Sequence, residues 1–159
     1  MQRDDAAVSP VIATVLLLAI TVLLSSMVFV MMSSTLSAVE KQAPTASVSV
    51  RALSNGYHVV TITSLDQQLD PSKVHWAVVN STGADRNLLS GNVDDVEVYG
   101  TVGANVSFHD RDAGWSVTTG DYFVINCRDI GCDGGSHRFQ LVDQDSNKVL
   151  VDIGLPLTL

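Results

Sequence analysis

Val8-Ser9-Pro10-Val11-Ile12-Ala13-Thr14-Val15-Leu16-Leu17-Leu18-Ala19-Ile20-Thr21-Val22-Leu23-Leu24-Ser25-Ser26-Met27-Val28-Phe29-Val30-Met31-Met32 is 25 residues without a charge, and it lies inside an uncharged run of 34 from Ala6 to Val39. A helix needs roughly 20 apolar residues to cross the hydrocarbon core of a bilayer. At about 1.5 Å per residue this stretch is long enough to span with some tilt. A secretory signal peptide has a shorter apolar region, about 7–15 residues, followed by a small-x-small cleavage site. Ser33-Ser34-Thr35-Leu36-Ser37-Ala38 is a poor site of that kind. The sequence therefore predicts a retained helix over 7–42, with Pro10 in the first turn, where its missing N–H costs nothing. Pro44 disfavours helix in the residue before it and so closes the segment.

Small polar residues interrupt the run. Ser9 and Ala13 stand four apart, as do Thr21 and Ser25, so each pair shares a helix face. Small-xxx-small faces allow transmembrane helices to approach closely. The flanking charges decide little about orientation, because Arg3 on one side and Lys41 on the other nearly balance. Two sequons and two cysteines downstream favour an exported C-terminal part.

Residues 43–159 are one domain's worth of chain. Strand signals recur near 46–53, 57–63, 73–79, 93–99, 104–108, 121–127, 138–143 and 148–153, separated by turn clusters such as Ser54-Asn55-Gly56 and Asp70-Pro71-Ser72. Eight short antiparallel strands predict an all-β, two-sheet sandwich of immunoglobulin-like general form, with the last two strands paired as a hairpin. Val60/Ile62, Trp76/Val78, Phe123/Ile125 and Phe139/Leu141 alternate as half-buried strands should. Trp76 and Trp115 read as core or rim packing. This part holds 14 Asp/Glu against 7 Lys/Arg, of a whole-chain net charge of −8. That charge keeps a surface hydrated, fits a saline habitat, and argues against nucleic acid as a partner.

Cys127 and Cys132 enclose Arg-Asp-Ile-Gly. In an exported domain the pair is expected to form a disulfide; the spacing is not the redox C-x-x-C, and zinc would need further ligands, of which only His137 is near. Asn80-Ser81-Thr82 and Asn105-Val106-Ser107 are N-glycosylation sequons, with Asn80, in an expected turn, the better acceptor. Asp143-Gln144-Asp145-Ser146-Asn147 imitates a calcium loop but lacks the following Gly and the Glu at position twelve, so it reads as a polar hairpin turn. Asp94-Asp95-x-Glu97 and Asp110-x-Asp112 read as solvated strand ends. No nucleophile elbow, P-loop, dinucleotide fingerprint or zincin motif occurs, and His58, His75, His109 and His137 share no ligand spacing. Catalysis, a cofactor and a metal are not expected.

Arg3-Asp4-Asp5-Ala6-Ala7-Val8-Ser9-Pro10-Val11-Ile12-Ala13, followed by Thr14 to Leu24 with its Ala19-Ile20-Thr21-Val22, resembles the N-terminus of archaeal type IV pilins. Those read charged residues, then Ala/Gly-Val-Ser-Pro-Val-Ile-Gly, then an aliphatic helix. The resemblance covers about the first 35 residues. It implies a charged leader, 1–6, removed by a prepilin peptidase between Ala6 and Ala7; a cut after Asp5 is the alternative, since many members carry a basic or other residue where this chain has Ala6. It further implies that the mature helix leaves the membrane and packs with copies of itself into a filament core. A pilus assembly ATPase and a membrane platform protein would drive this, for adhesion, with glycosylation common. Bacterial pilins usually carry a Glu near the fifth mature position; here that position is Val11, so register would come from packing. The competing reading keeps the topology without polymerisation: a single-pass, membrane-anchored extracellular binding module.

Overall fold

Nothing between Val8 and Ser37 breaks a helix once Pro10 is past: there is no glycine and no second proline. The computed structural model, which describes residues 8–37, 43–81 and 87–158, has α1 over Val8–Ser37. Its 30 residues make a rod about 45 Å long. Pro10 sits in the first turn, where backbone N–H groups have no intrahelical acceptor. The chain divides into two compact units, Met1–Glu40 and Lys41–Leu159. The expected extension of the helix to residue 42 lies outside the described residues.

The second unit is all-β apart from two short turns of helix. It comprises β1 (Ala46–Ala52), β2 (Tyr57–Leu65), β3 (Val74–Asn80), β4 (Asn87–Asn92), β5 (Val106–His109), β6 (Tyr122–Asn126), α2 (Cys127–Ile130), β7 (His137–Asp143) and β8 (Lys148–Gly154). One antiparallel sheet runs β1-β2-β6-β5, the other β4-β3-β7-β8. Lettered A, B, C, C′, D, E, F, G in chain order, these are the ABED and C′CFG sheets of an immunoglobulin-type sandwich. The predicted fold class, an all-β head of two antiparallel sheets after a long helix, holds, and β7 and β8 form the predicted hairpin.

Period-2 alternation drives the packing. Val60 and Ile62 of β2, Phe123 and Ile125 of β6, Trp76 and Val78 of β3, and Phe139 and Leu141 of β7 all turn inward into one core. Phe108, Phe123 and Phe139 form its axis, with ring centroids 4.9 Å and 5.1 Å apart at tilted angles. The second of these contacts crosses from one sheet to the other. Tilted aromatic pairs add about 0.5–1.5 kcal/mol each beyond the area they bury.

One predicted strand is displaced. Residues 93–99 form no strand: Asp95 accepts the Asn92 amide with its carboxylate, and its carbonyl takes the amides of Val98 and Tyr99, folding the segment into a turn. Aspartate competes with the sheet ladder through such local bonds. Only a bridge from Tyr99 to Phe108 remains. The strand that pairs with β3 is instead Asn87–Asn92, whose Asn, Ser and Gly are poor strand formers. A Cβ at Gly91 would lie 2.8 Å from the Asp95 carboxylate and 3.3 Å from the Trp76 ring, so a larger residue would press on the carboxylate that holds the Asn92 amide.

Cys127 and Cys132 are joined in a disulfide and both are fully buried. Asn126 caps α2 by accepting the Asp129 amide, and Gly131, at φ +83°, ends it. A loop this short gives a stabilisation of about 2 kcal/mol in the chain-entropy account. The double variant Cys127→Ala/Cys132→Ala is therefore expected to unfold at a lower denaturant concentration, by an amount worth about 2 kcal/mol. An unchanged midpoint in equilibrium unfolding would show that the loop is held by its hydrogen bonds alone.

Candidate functional site

Two surfaces stand out, one on each unit. The first is the whole circumference of α1. Its large apolar side chains from Val11 to Met32 are half to three-quarters exposed, from 50% at Ile20 to 74% at Phe29. The 27 residues from Ser9 to Thr35 are long and apolar enough to cross a membrane. Hydroxyls on the helix are consumed internally: Thr14 donates to Val11 O, Thr21 to Leu18 O, Ser25 to Thr21 O, Ser26 to Leu23 O and Ser34 to Met31 O. These positions consequently present small, satisfied surfaces and carry no unmet polar demand into an apolar medium. Ser9 and Ala13, like Thr21 and Ser25, occupy this helix at the predicted spacing. Ala6 and Ala7 lie outside the described residues.

The second surface lies at the β4–β5 end of the head. A groove of about 830 Å³ runs between β4 and the 95–106 connection, walled by Trp76, Leu89, Val96, Val98 and Val102, with Asn105 on its lip. Val96 and Val102 are 89% and 88% exposed, the most open large apolar side chains described. Beside it, Trp115 stacks on Tyr99 at 4.2 Å and Tyr99 leans on Phe108 at 5.4 Å, so an aromatic ladder descends from an exposed loop into the core. Of the two tryptophans, Trp76 is core and Trp115 rim.

Asp110, Asp112 and Asp121 converge, with one oxygen of each within 4.8 Å of the others. Their chemistry is already committed to the loop. Asp121, fully buried, accepts the amides of Arg111 and Thr118 and the Thr118 hydroxyl; Asp110 accepts the Tyr99 hydroxyl at 2.6 Å and the Asp112 amide. Burial pushes the Asp121 carboxyl above the usual carboxylate range, and the neighbouring Asp110 charge adds to this against the amides that lower it. Burial also acts to raise Asp110, but the Tyr99 hydroxyl and nearby donors outweigh it and hold that carboxyl low. The Tyr99 phenol is pushed up to about 12, first by burial and then by its bond to Asp110. Asp110 is thus half-buried and bonded, not the solvated strand end expected. The Asp143–Asn147 stretch is the polar turn expected: Asp143 accepts the amide and hydroxyl of Ser146, and Asn147 takes φ +53°.

The sequons separate in the structure. Asn80 is not in a turn but ends β3, half-buried, with His137 as its cross-strand partner. Asn105 is exposed, and its side-chain amide has no hydrogen-bond partner among the described residues. The sequence predicts a turn at Asn80 because Asn-Ser-Thr-Gly looks like one, while the groove beside Asn105 is formed by distant segments. His58 was likewise illegible: it is fully buried and donates from Nε2 to the Pro156 carbonyl at 2.6 Å, leaving Nδ1 as the buried side-chain polar atom without a partner among the described residues.

One long apolar N-terminal helix and one immunoglobulin-type β-sandwich define the class of β-sandwich proteins that carry an apolar N-terminal helix. Residues 6–48 match the family model described as Archaeal Type IV pilin, N-terminal. The matched stretch, which takes in α1 and the first residues of β1, is therefore similar to the N-terminal part of archaeal type IV pilins. Among curated proteins, none matches the chain.

Proposed function

We propose that this chain is the structural subunit of an archaeal type IV pilus-like surface filament that serves adhesion, and not an enzyme. A prepilin peptidase removes residues 1–6 between Ala6 and Ala7 while α1 is held in the membrane. A pilus assembly ATPase and its membrane platform protein then extract the mature helix into a bundle of its copies, and the head faces the exterior. The observation that carries this reading is a helix apolar on every side, joined to the pilin-type match. Such a helix is stable in lipid or among like helices and nowhere in water. The leader's Arg3, Asp4 and Asp5 would be costly to bury in that bundle, which gives the cut its physical purpose.

The test is the mature N-terminus, by mass spectrometry on surface-sheared material and on membranes. A species beginning at Ala7 in the sheared fraction is expected. An intact Met1 terminus confined to membranes would reject polymerisation and make the chain a membrane-anchored extracellular binding module.

A further inference from the structure

Strand β4 is the outer strand of its sheet, and among the described residues no backbone group from Asn87 to Gly91 has a hydrogen bond outside the ladder with β3. An open edge presents a row of unpaired N–H and C=O groups, which proteins usually guard with charge, proline or a covering segment. The other three edges of the sandwich are guarded. β1 carries Arg51, and β8 carries Lys148 and Asp152. β5 is only four residues long, and residues 98–100 lie across it: the Phe108 amide donates to Val98 O, and the Gly100 amide donates to Phe108 O. Asn87-Leu88-Leu89-Ser90-Gly91-Asn92 has no charge and no proline, and Asn87, Leu88 and Ser90 are exposed.

We infer that β4 is a pairing edge for a second copy of this chain: β4 of one head lies antiparallel to β4 of another, and their two four-stranded sheets become continuous. Charge selects both the occupant and its direction. The chain carries a net charge of −8, so two heads repel wherever their acids meet, and β4 offers them an uncharged, uncovered edge. Asp85-Arg86 precede β4 in the sequence, and Asp94, Asp95 and Glu97 follow it. Antiparallel pairing sets the acidic flank of one copy against the balanced flank of the other. Parallel pairing would set acids against acids. The antiparallel contact is also isologous, so each edge satisfies the other and no second complementary surface is needed. The strand propensity of Asn, Ser and Gly in β4 is low. Copies held by α1 in one membrane meet at high effective concentration, which offsets that weakness.

Symmetry gives the pairing a consequence that rests on the filament reading, although the pairing itself does not. Neighbours along one filament are related by a screw rotation and make heterologous contacts. A two-fold contact between β4 strands is not of that kind. It joins heads on different filaments, and filaments that carry it lie side by side.

The experiment crosslinks the full-length chain, in the membranes of the cells that make it, with a short bis-maleimide. Ser90→Cys puts a thiol at the middle of β4 and Ser49→Cys puts one on β1; both positions are exposed, and the native cysteines are held in their disulfide. Two-fold pairing centred on β4 brings the two copies of position 90 within roughly 10 Å. Ser90→Cys is expected to give about tenfold more crosslinked dimer than Ser49→Cys, the difference between a fixed neighbour and a chance encounter in the same membrane. Adding Leu88→Glu, which puts an acid on the edge of both copies, is expected to lower that yield about fivefold, and Leu88→Gln to keep it. Equal yields at 90 and 49 overturn the inference, as does a yield at 90 that Leu88→Glu leaves unchanged. Electron microscopy of sheared material separates the two proposals. Filaments without the crosslink at 90 reject only the pairing, and the crosslink at 90 without filaments rejects only the filament.

Discussion

Val22→Lys is expected to abolish surface filaments while leaving the chain inserted in the membrane and its head folded. Val22 is at the midpoint of the Ser9–Thr35 span. On insertion scales a lysine at a helix centre costs about 2.5–3.5 kcal/mol, whereas each Leu, Ile, Val or Phe contributes roughly −0.3 to −0.6 kcal/mol. Twelve such residues would remain between Ser9 and Thr35, so their sum of roughly −4 to −7 kcal/mol keeps insertion favourable. The core of the proposed filament would offer no such reserve. Every subunit would bring an ammonium group into dry contact with its neighbours, and α1 contains no acid to pair with it. A loss of about 3 kcal/mol per subunit contact weakens an association constant by roughly a hundredfold. The measurement is the yield of sheared filaments, with electron microscopy, against Val22→Leu as the control. Normal filaments carrying Val22→Lys would overturn assembly through α1, whatever the N-terminus proves to be.

The helix was legible because lipid imposes a long, unambiguous requirement, and 25 uncharged residues have few other readings. The sandwich was legible wherever strands alternate about a buried row: β2, β3, β6 and β7 carry their Val, Ile, Trp, Phe and Leu at period 2 and lie within two residues of their expected ends. The failures have a common cause in tertiary context. Val93, Val96 and Val98 imitate alternation, but Asp95 bonds its own neighbourhood more cheaply than a ladder partner. Strand β4 has almost no strand propensity and exists because β3 offers a free edge and Gly91 lets the backbone pass Trp76. Sites suffered most. Asp121 lies nine residues from Asp112 in sequence, and no spacing rule announces that both join Asp110; nor does anything near Asn105 announce a groove whose walls include Trp76 and Leu89.

Phe123→Ala should give the largest loss of stability available from a single side chain in the head. Phe123 is fully buried, pairs across the sheet with Val60 and Phe108, and touches Phe139 of the opposite sheet. Truncation removes the middle of the ladder and leaves a cavity where both sheets are anchored, at a cost of about 3–5 kcal/mol. A domain of this size holds roughly 5–15 kcal/mol in total, so a third or more of its stability would go. At about 4 °C per kcal/mol the Tm should fall by roughly 12–20 °C, measured on the full chain in detergent micelles. Trp115→Ala, at the exposed end of the same ladder, loses one stacked contact and should cost only about 0.5–1.5 kcal/mol. The pair Phe123→Ala and Phe139→Ala tests the geometry more sharply. Because the two rings share one contact across the sheets, the double variant should lose less than the sum of the single losses, by about 0.5–3 kcal/mol. Additive losses would mean that the two sheets do not meet at these rings, and the sandwich would have to be packed differently.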